Sequence, residues 1–171
     1  MDKKNLLNQL NAEAREHSVR VAKLCKKVAI KLNINAEAMY LAGLYHDIGK
    51  VFIPARVLKK AANLTDLERE IIDLHSYFGY RVLKEYDFPE DICMSTLYHH
   101  GINKMKLNPV PHPSETQLLM AEIIATVDCF DALTNNRIYR KKDSCEKAFE
   151  IISKIPHCSK EALDVLKEIY S

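Results

Sequence analysis

The sequence carries imidazoles and carboxylates at positions where apolar neighbours leave them little company: Glu13, His17, His46, Asp47, His75, His99, His100 and Asp128. These are the ligand types that suit iron, manganese or zinc. Glu13 and His17 are four residues apart, so on a helix they project from one side. His46 and Asp47 are adjacent where a helix is expected to end, which lets the imidazole bind one ion terminally and the carboxylate bridge two. Asp128 follows the largely apolar run 120–127. There an unpaired carboxylate would cost several kcal/mol or shift its pKa by roughly 3 to 5 units, and a nearby cation removes that penalty.

Each residue alone also has an ordinary reading. His17 or His75 on an apolar stripe could be a hydrogen-bonded core histidine, His99-His100 a surface pair, and Asp47 or Asp128 a helix cap or salt-bridge partner. The set argues otherwise, because several helices each offer a ligand on a half-buried face, and helical bundles are where such sites are built. Cys25 and Cys129 lie near the set without any sign of being ligands. His112 and His157, in Pro-flanked loops, are taken as surface residues.

The elements that must position these groups are helical. Leu10, Ala14, Val21, Leu24, Val28 and Leu32 recur every three or four residues and put a stripe on a long first helix that includes His17. Asn35 can cap a second helix running toward His46, with Gly49 and Pro54 ending it. Val51 to Asn63 reads as irregular apart from a short helical turn. Thr65-Asp66-Leu67-Glu68 is a capping box, predicting one helix with a core stripe of Leu67, Ile71, Leu74, Phe78 and Val82. Pro89 suits the first turn of the next helix, which ends near His99-His100-Gly101. A second capping box, Ser114-Glu115-Thr116-Gln117, opens the most hydrophobic helix, Leu118 to Leu133. Asp143 or Ser144 caps another, Pro156 breaks it, and Ser159 begins the last.

The 171 residues are 47% hydrophobic and 28% charged, with a net charge of +2. A balance so near zero gives no support to duplex DNA or RNA binding or to a basic membrane-surface binder. With only four Gly and six Pro, most of the chain is free of helix breakers, and no strand, turn and helix pattern supports a Rossmann or P-loop reading. The expected fold class is all-α, one helical bundle over 1–171 with a metal centre between its helices. No apolar run approaches the roughly 18 to 20 residues of a membrane span, and Met1-Asp2-Lys3-Lys4 leads into a polar segment, so no membrane association and a cytoplasmic location are expected. Five cysteines without a C-x-x-C spacing suggest neither a disulfide framework nor a zinc knuckle.

Tyr45-His46-Asp47-Ile48-Gly49-Lys50 resembles the signature of the HD superfamily of metal-dependent phosphohydrolases. The rest is similar to its HD-GYP branch: His17-Ser18-Val19-Arg20-Val21-Ala22, Val51-Phe52-Ile53-Pro54 followed by Leu64-Thr65 and Glu68, then His75, Gly79, His99-His100, the segment 127–134 and Arg137-Ile138-Tyr139-Arg140. The resemblance implies a helical phosphodiesterase that hydrolyses cyclic di-GMP or a related cyclic dinucleotide with two or three divalent transition metal ions. It implies His17, His46, Asp47 and Asp128 as ligands of one ion and Asp47, His75, His99 and His100 as ligands of the other, with Glu13 the carboxylate of three-ion members. Lys50 resembles the phosphate-binding lysine, and Arg137 and Arg140 the basic pair that holds substrate, although Arg140 also reads as part of a solvated basic run.

The chain departs from the branch after the paired histidines. In place of an acidic residue and a Gly-Tyr-Pro turn it reads Gly101-Ile102-Asn103-Lys104-Met105-Lys106-Leu107-Asn108-Pro109, which bears on the substrate more than on the chemistry. The receiver or sensor domain usual in the branch is missing, so regulation in cis is not expected.

Phosphodiester hydrolysis requires a nucleophile at neutral pH, neutralised nonbridging oxygens and help for the leaving alkoxide, and two ions roughly 3.5 to 4 Å apart supply all three. Asp47 is the expected bridge and catalytic group; Lys50, Arg137 and Arg140 are expected on the phosphate. Asp131, three residues after Asp128, could orient a ligand or receive a proton, or form a salt bridge at the helix end. Two other readings stay open: an HD-type phosphohydrolase acting on another nucleotide, such as a nucleoside monophosphate, and a catalytically weak metal-bearing module that binds a nucleotide or a partner. Fe or Mn suits the set best, with Zn also compatible. A small-molecule nucleotide is the expected ligand; a signalling-protein partner or a homodimer is left open.

Overall fold

Short polar side chains start the helices. Asn11, Asn35, Thr65, Ser114 and Ser144 each accept a hydrogen bond from a backbone N–H in the first turn that follows, and at Thr65 and Ser114 the reciprocal bond from Glu68 or Gln117 completes the capping box. These groups satisfy donors that a helix cannot satisfy internally. The computed structural model describes residues 5–60, 63–104, 111–135 and 142–170.

In chain order the helices are α1 (Ala12–Lys31), α2 (Ala36–Tyr45), α3 (Ala55–Leu58), α4 (Asp66–Asp73), α5 (His75–Glu85), α6 (Glu90–Tyr98), α7 (Glu115–Thr134), α8 (Cys145–Ile152) and α9 (Lys160–Tyr170). No strand occurs among the described residues, in line with the expected all-α class. α7 is the central element, packed against α1, α2, α6, α8 and α9. Its buried residues run round the helix, Met120, Ile123, Ile124, Val127 and Phe130 among them, as expected of a helix enclosed by others. Val21, Val28, Met39, Ile92 and Leu166 join them in one core.

Two expectations are corrected. α2 stops at Tyr45, and Gly49 lies in a separate 3-10 turn, Ile48–Phe52. The helix predicted through Thr65 and Val82 is two helices meeting at Leu74. α4 buries none of its residues, and Leu67 is 66% exposed. The buried face of α5 is His75, Ser76, Gly79 and Leu83 instead.

The physical reason is close backbone approach. A Cβ on Gly49 would stand 2.0 Å from the His75 carbonyl oxygen and 2.4 Å from the Gly79 nitrogen, and one on Gly79 would stand 2.9 Å from Thr96 Cγ2. A stripe chosen by apolar bulk misses a face selected for having no side chain at all. The contact presses the 3-10 turn onto α5, and α5 onto α6, which brings Asp47 beside His75.

Candidate metal centre

His17 is in the second turn of α1, and His46 caps the C-terminus of α2 with Asp47 next. His75 opens α5, His99 and His100 follow α6, and Asp128 and Asp131 lie on α7. Ligand atoms of His17, His46 and Asp128 lie within 4.8 Å of one another, as do those of His75, His99 and His100. Asp47 faces both groups. Its Oδ1 is 3.3 Å from His75 Nε2, and its Oδ2 is 3.5 Å from His46 Nε2 and 3.8 Å from His17 Nε2.

The rings are held from behind. His46 Nδ1 is 2.8 Å from the Gly43 carbonyl oxygen, His75 Nδ1 2.6 Å from that of Ile72, and His99 Nδ1 2.7 Å from that of Thr96. His17 Nδ1 is 2.7 Å from Asp131 Oδ2. Each partner can only accept, so each Nδ1 carries the proton and donates. The three carbonyls belong to the last turns of α2, α4 and α6, where the regular helical donor runs out. Ending a helix just before a histidine thus supplies the acceptor that orients the ring.

The Nε2 atoms of His46, His75 and His99 therefore present lone pairs to the interior, whereas that of His17 faces Asp128 and holds a proton that an ion would displace. His75 Nε2 is 3.3 Å from His99 Nε2 and 3.2 Å from His100 Nε2. These separations have hydrogen-bond length, yet with both Nδ1 positions protonated the neutral His75 and His99 rings have no proton to place between them. His46 Nε2 is buried without any hydrogen-bond partner, and His17 Nε2 stands 2.9 Å from Asp128 Oδ1. Converging lone pairs beside two carboxylates, with no thiolate, make a donor set that fits a divalent transition metal.

Electrostatics separates the two groups. Burial pushes His75 and His99 below the ordinary histidine range, and burial with the neighbouring His75 takes His100 down to about 3, so this group is neutral and ready to donate lone pairs. Burial opposes charge on His17 as well, but Asp128, Asp131 and Asp47 outweigh it and raise the ring to about 9. Burial likewise opposes charge on Asp47, yet Lys50 and the surrounding histidines hold its carboxyl well below the usual range. Asp128 is also lowered against burial, through His17 and His46. The His17, His46 and Asp128 group therefore calls for positive charge, as a proton or a metal ion.

A cleft of about 420 Å³ opens beside this centre, lined in part by Glu13, Glu16, His17, Arg20, Asp47 and Lys50. Lys50 Nζ donates to Asp47 Oδ2 at 2.5 Å. Glu13, expected as a further ligand, lies in the first turn of α1, exposed on the wall of the cleft that His17 and Asp47 also line. Arg137 and Arg140 lie outside the described residues, as does most of the departing loop, 105–110.

Two features escaped sequence reasoning. Asp131 forms the orienting bond to His17 that its spacing suggested, but it is itself gripped by Arg20 and Asn135. The available signal was the placement of Arg20 three residues after His17, on the same helix face. His157 is half-buried rather than a surface residue: a Cβ on Gly101, whose φ is +92°, would meet His157 Cβ at 3.2 Å. Cys25 and Cys129 join neither ligand group.

Comparison with known proteins places the chain in a family. The chain is 33% identical over 152 residues to 3'3'-cGAMP-specific phosphodiesterase 1 of Vibrio cholerae serotype O1, covering 85% of this chain and 34% of that protein. It is 30% identical over 158 residues to a cyclic di-GMP phosphodiesterase of Thermotoga maritima, covering 88% of this chain and 43% of that protein. The chain thus spans less than half the length of either relative. In fold it is similar to the HD domain of the L. monocytogenes phosphodiesterase PgpH, with a TM-score of 0.70, 23% identity, and coverage of 97% of this chain and 99% of that one. No helix among the described residues is long and apolar enough to cross a membrane. The HD domain family model matches residues 15–133, a span that takes in His17, His46, Asp47, His75, His99, His100 and Asp128, and the chain belongs to that family.

Proposed function

We propose that the chain is a metal-dependent phosphodiesterase that hydrolyses a cyclic dinucleotide, cyclic di-GMP or a relative, at a two-ion centre. His17, His46 and Asp128 would hold one ion, His75, His99 and His100 the other, and Asp47 would serve both. The observation that carries this reading is the position of Asp47, with one oxygen toward each histidine group. The substrate class is supported by the two relatives, which are named for cyclic dinucleotides. Glu13 lines the same cleft as His17 and Asp47 and would be the carboxylate for a third ion, and imidazole and carboxylate ligation suits Fe or Mn.

When bound, the ions would supply Lewis acidity and a nucleophile at neutral pH. The chain supplies placement. Nδ1–H bonds fix the rings of His17, His46, His75 and His99, so these ligands need little reorganisation as charge develops. Lys50 stands between Asp47 and the cleft, where its ammonium can hold a nonbridging phosphate oxygen without leaving the carboxylate. Arg137 and Arg140 are assigned to the substrate's phosphates on sequence alone.

Metal analysis of anaerobically purified protein should find about two equivalents of Fe or Mn. The loaded protein should convert cyclic di-GMP or a related cyclic dinucleotide to a linear product, and Asp47→Ala should abolish turnover. Turnover of nucleoside monophosphates alone would move the substrate to another nucleotide. Failure to cleave even bis(p-nitrophenyl) phosphate would leave a binding module.

A further inference from the structure

Asp131 has partners on both oxygens. Oδ1 accepts from Arg20 Nε at 2.8 Å and from Asn135 Nδ2 at 3.0 Å. Oδ2 accepts from Arg20 Nη2 at 2.9 Å and from His17 Nδ1 at 2.7 Å. The two-point Arg20 fork sets the plane of the carboxylate, which a single donor could not do.

A contrast among the rings gives this fork its meaning. His46, His75 and His99 donate Nδ1–H to backbone carbonyls, whose position comes with the helix. His17 depends on a side-chain acceptor, which is free to rotate unless something holds it.

We infer that Arg20 is a positioning residue of the metal centre: acting through Asp131, it aims His17 Nε2 at the His17, His46 and Asp128 group, so the ion held there depends on Arg20 and the ion at His75, His99 and His100 does not. The inference rests on the two-ion reading above. The same fork also ties α1 to α7, with the Arg20 side chain 43% exposed and that of Asp131 6% exposed; a purely structural tie would weaken both ions alike, whereas a positioning role weakens one.

Mn(II) titration followed by calorimetry and electron paramagnetic resonance tests this without any assay of turnover. Wild-type protein should take up two ions with a spin-coupled signal. Arg20→Ala should keep one ion unchanged and weaken the other roughly 10- to 100-fold, with the spectrum turning mononuclear. Asp131→Asn, which presents an amide to the Arg20 fork, should weaken the same ion. Combination with His99→Ala, which leaves only the first group complete, should make Arg20→Ala remove most remaining binding; in a His46→Ala background it should change nothing. Two ions bound with unchanged affinity by Arg20→Ala, or equal weakening of both, overturns the inference while leaving the two-ion centre intact. Wild-type protein that binds no ion overturns both.

Discussion

The Lys50 ammonium lies 2.5 Å from Oδ2 of Asp47, the carboxylate that faces both histidine groups. Lys50 therefore competes with metal ions for Asp47 while standing ready for a phosphate oxygen. Lys50→Ala should bind Mn(II) at least as tightly as wild type, yet turn over substrate about 100-fold more slowly through loss of a charge-stabilising donor. Calorimetric titration beside steady-state kinetics reads both quantities; weaker metal binding in the variant would assign Lys50 to the structure of the centre instead.

Metal uptake should release protons. His17 is raised to about 9 by its carboxylate neighbours in spite of burial, so near neutral pH the ring must give up a proton before Nε2 can bind an ion. Titrations in buffers of differing ionisation enthalpy should report close to one proton released from this ring. Apparent affinity for that ion should fall about tenfold per pH unit on the acid side of the His17 pKa. Affinity independent of pH between 6 and 8 would contradict this.

Chelator-treated protein should be most stable near pH 6.5, the ordinary value for histidine. His17 holds its proton more tightly when folded, so its contribution is complete below the unfolded value of 6.5 and is lost as pH rises through about 9. Buried His75, His99 and His100 hold theirs more weakly when folded, so stability is lost as pH falls from 6.5 toward their folded values, about 3 for His100. Thermal unfolding across pH 4 to 9 with chelator should give a Tm that declines on both sides; with saturating metal the alkaline decline should vanish, because an ion has replaced the His17 proton.

Gly49→Ala should be severely destabilising. Its Cβ would meet the His75 carbonyl oxygen at 2.0 Å and the Gly79 nitrogen at 2.4 Å, and neither backbone atom can yield without moving α5. A loss of about 3 kcal/mol or more is expected in denaturant unfolding. Any folded fraction should bind metal poorly, since Asp47 and His75 would be driven apart. A change below 1 kcal/mol would mean that the 3-10 turn and α5 are less tightly joined than their geometry implies.

Much of this protein is legible in local chemistry. Asn35, Thr65, Ser114 and Ser144 mark helix starts because a capping side chain needs only neighbours within one turn to act. The ligand set is legible because imidazoles and carboxylates on apolar faces are costly without a partner, and His17, His46, Asp47, His75, His99, His100 and Asp128 do converge in the fold. The sequence by itself thus determined an all-helical chain with these residues as candidates. Only tertiary structure decided the break at Leu74, the close approach of Gly49 to His75 and the grip of Arg20 on Asp131. Each of these depends on which helix faces land together across long sequence separations. Helix periodicity constrains one element at a time and carries no information about the face it meets.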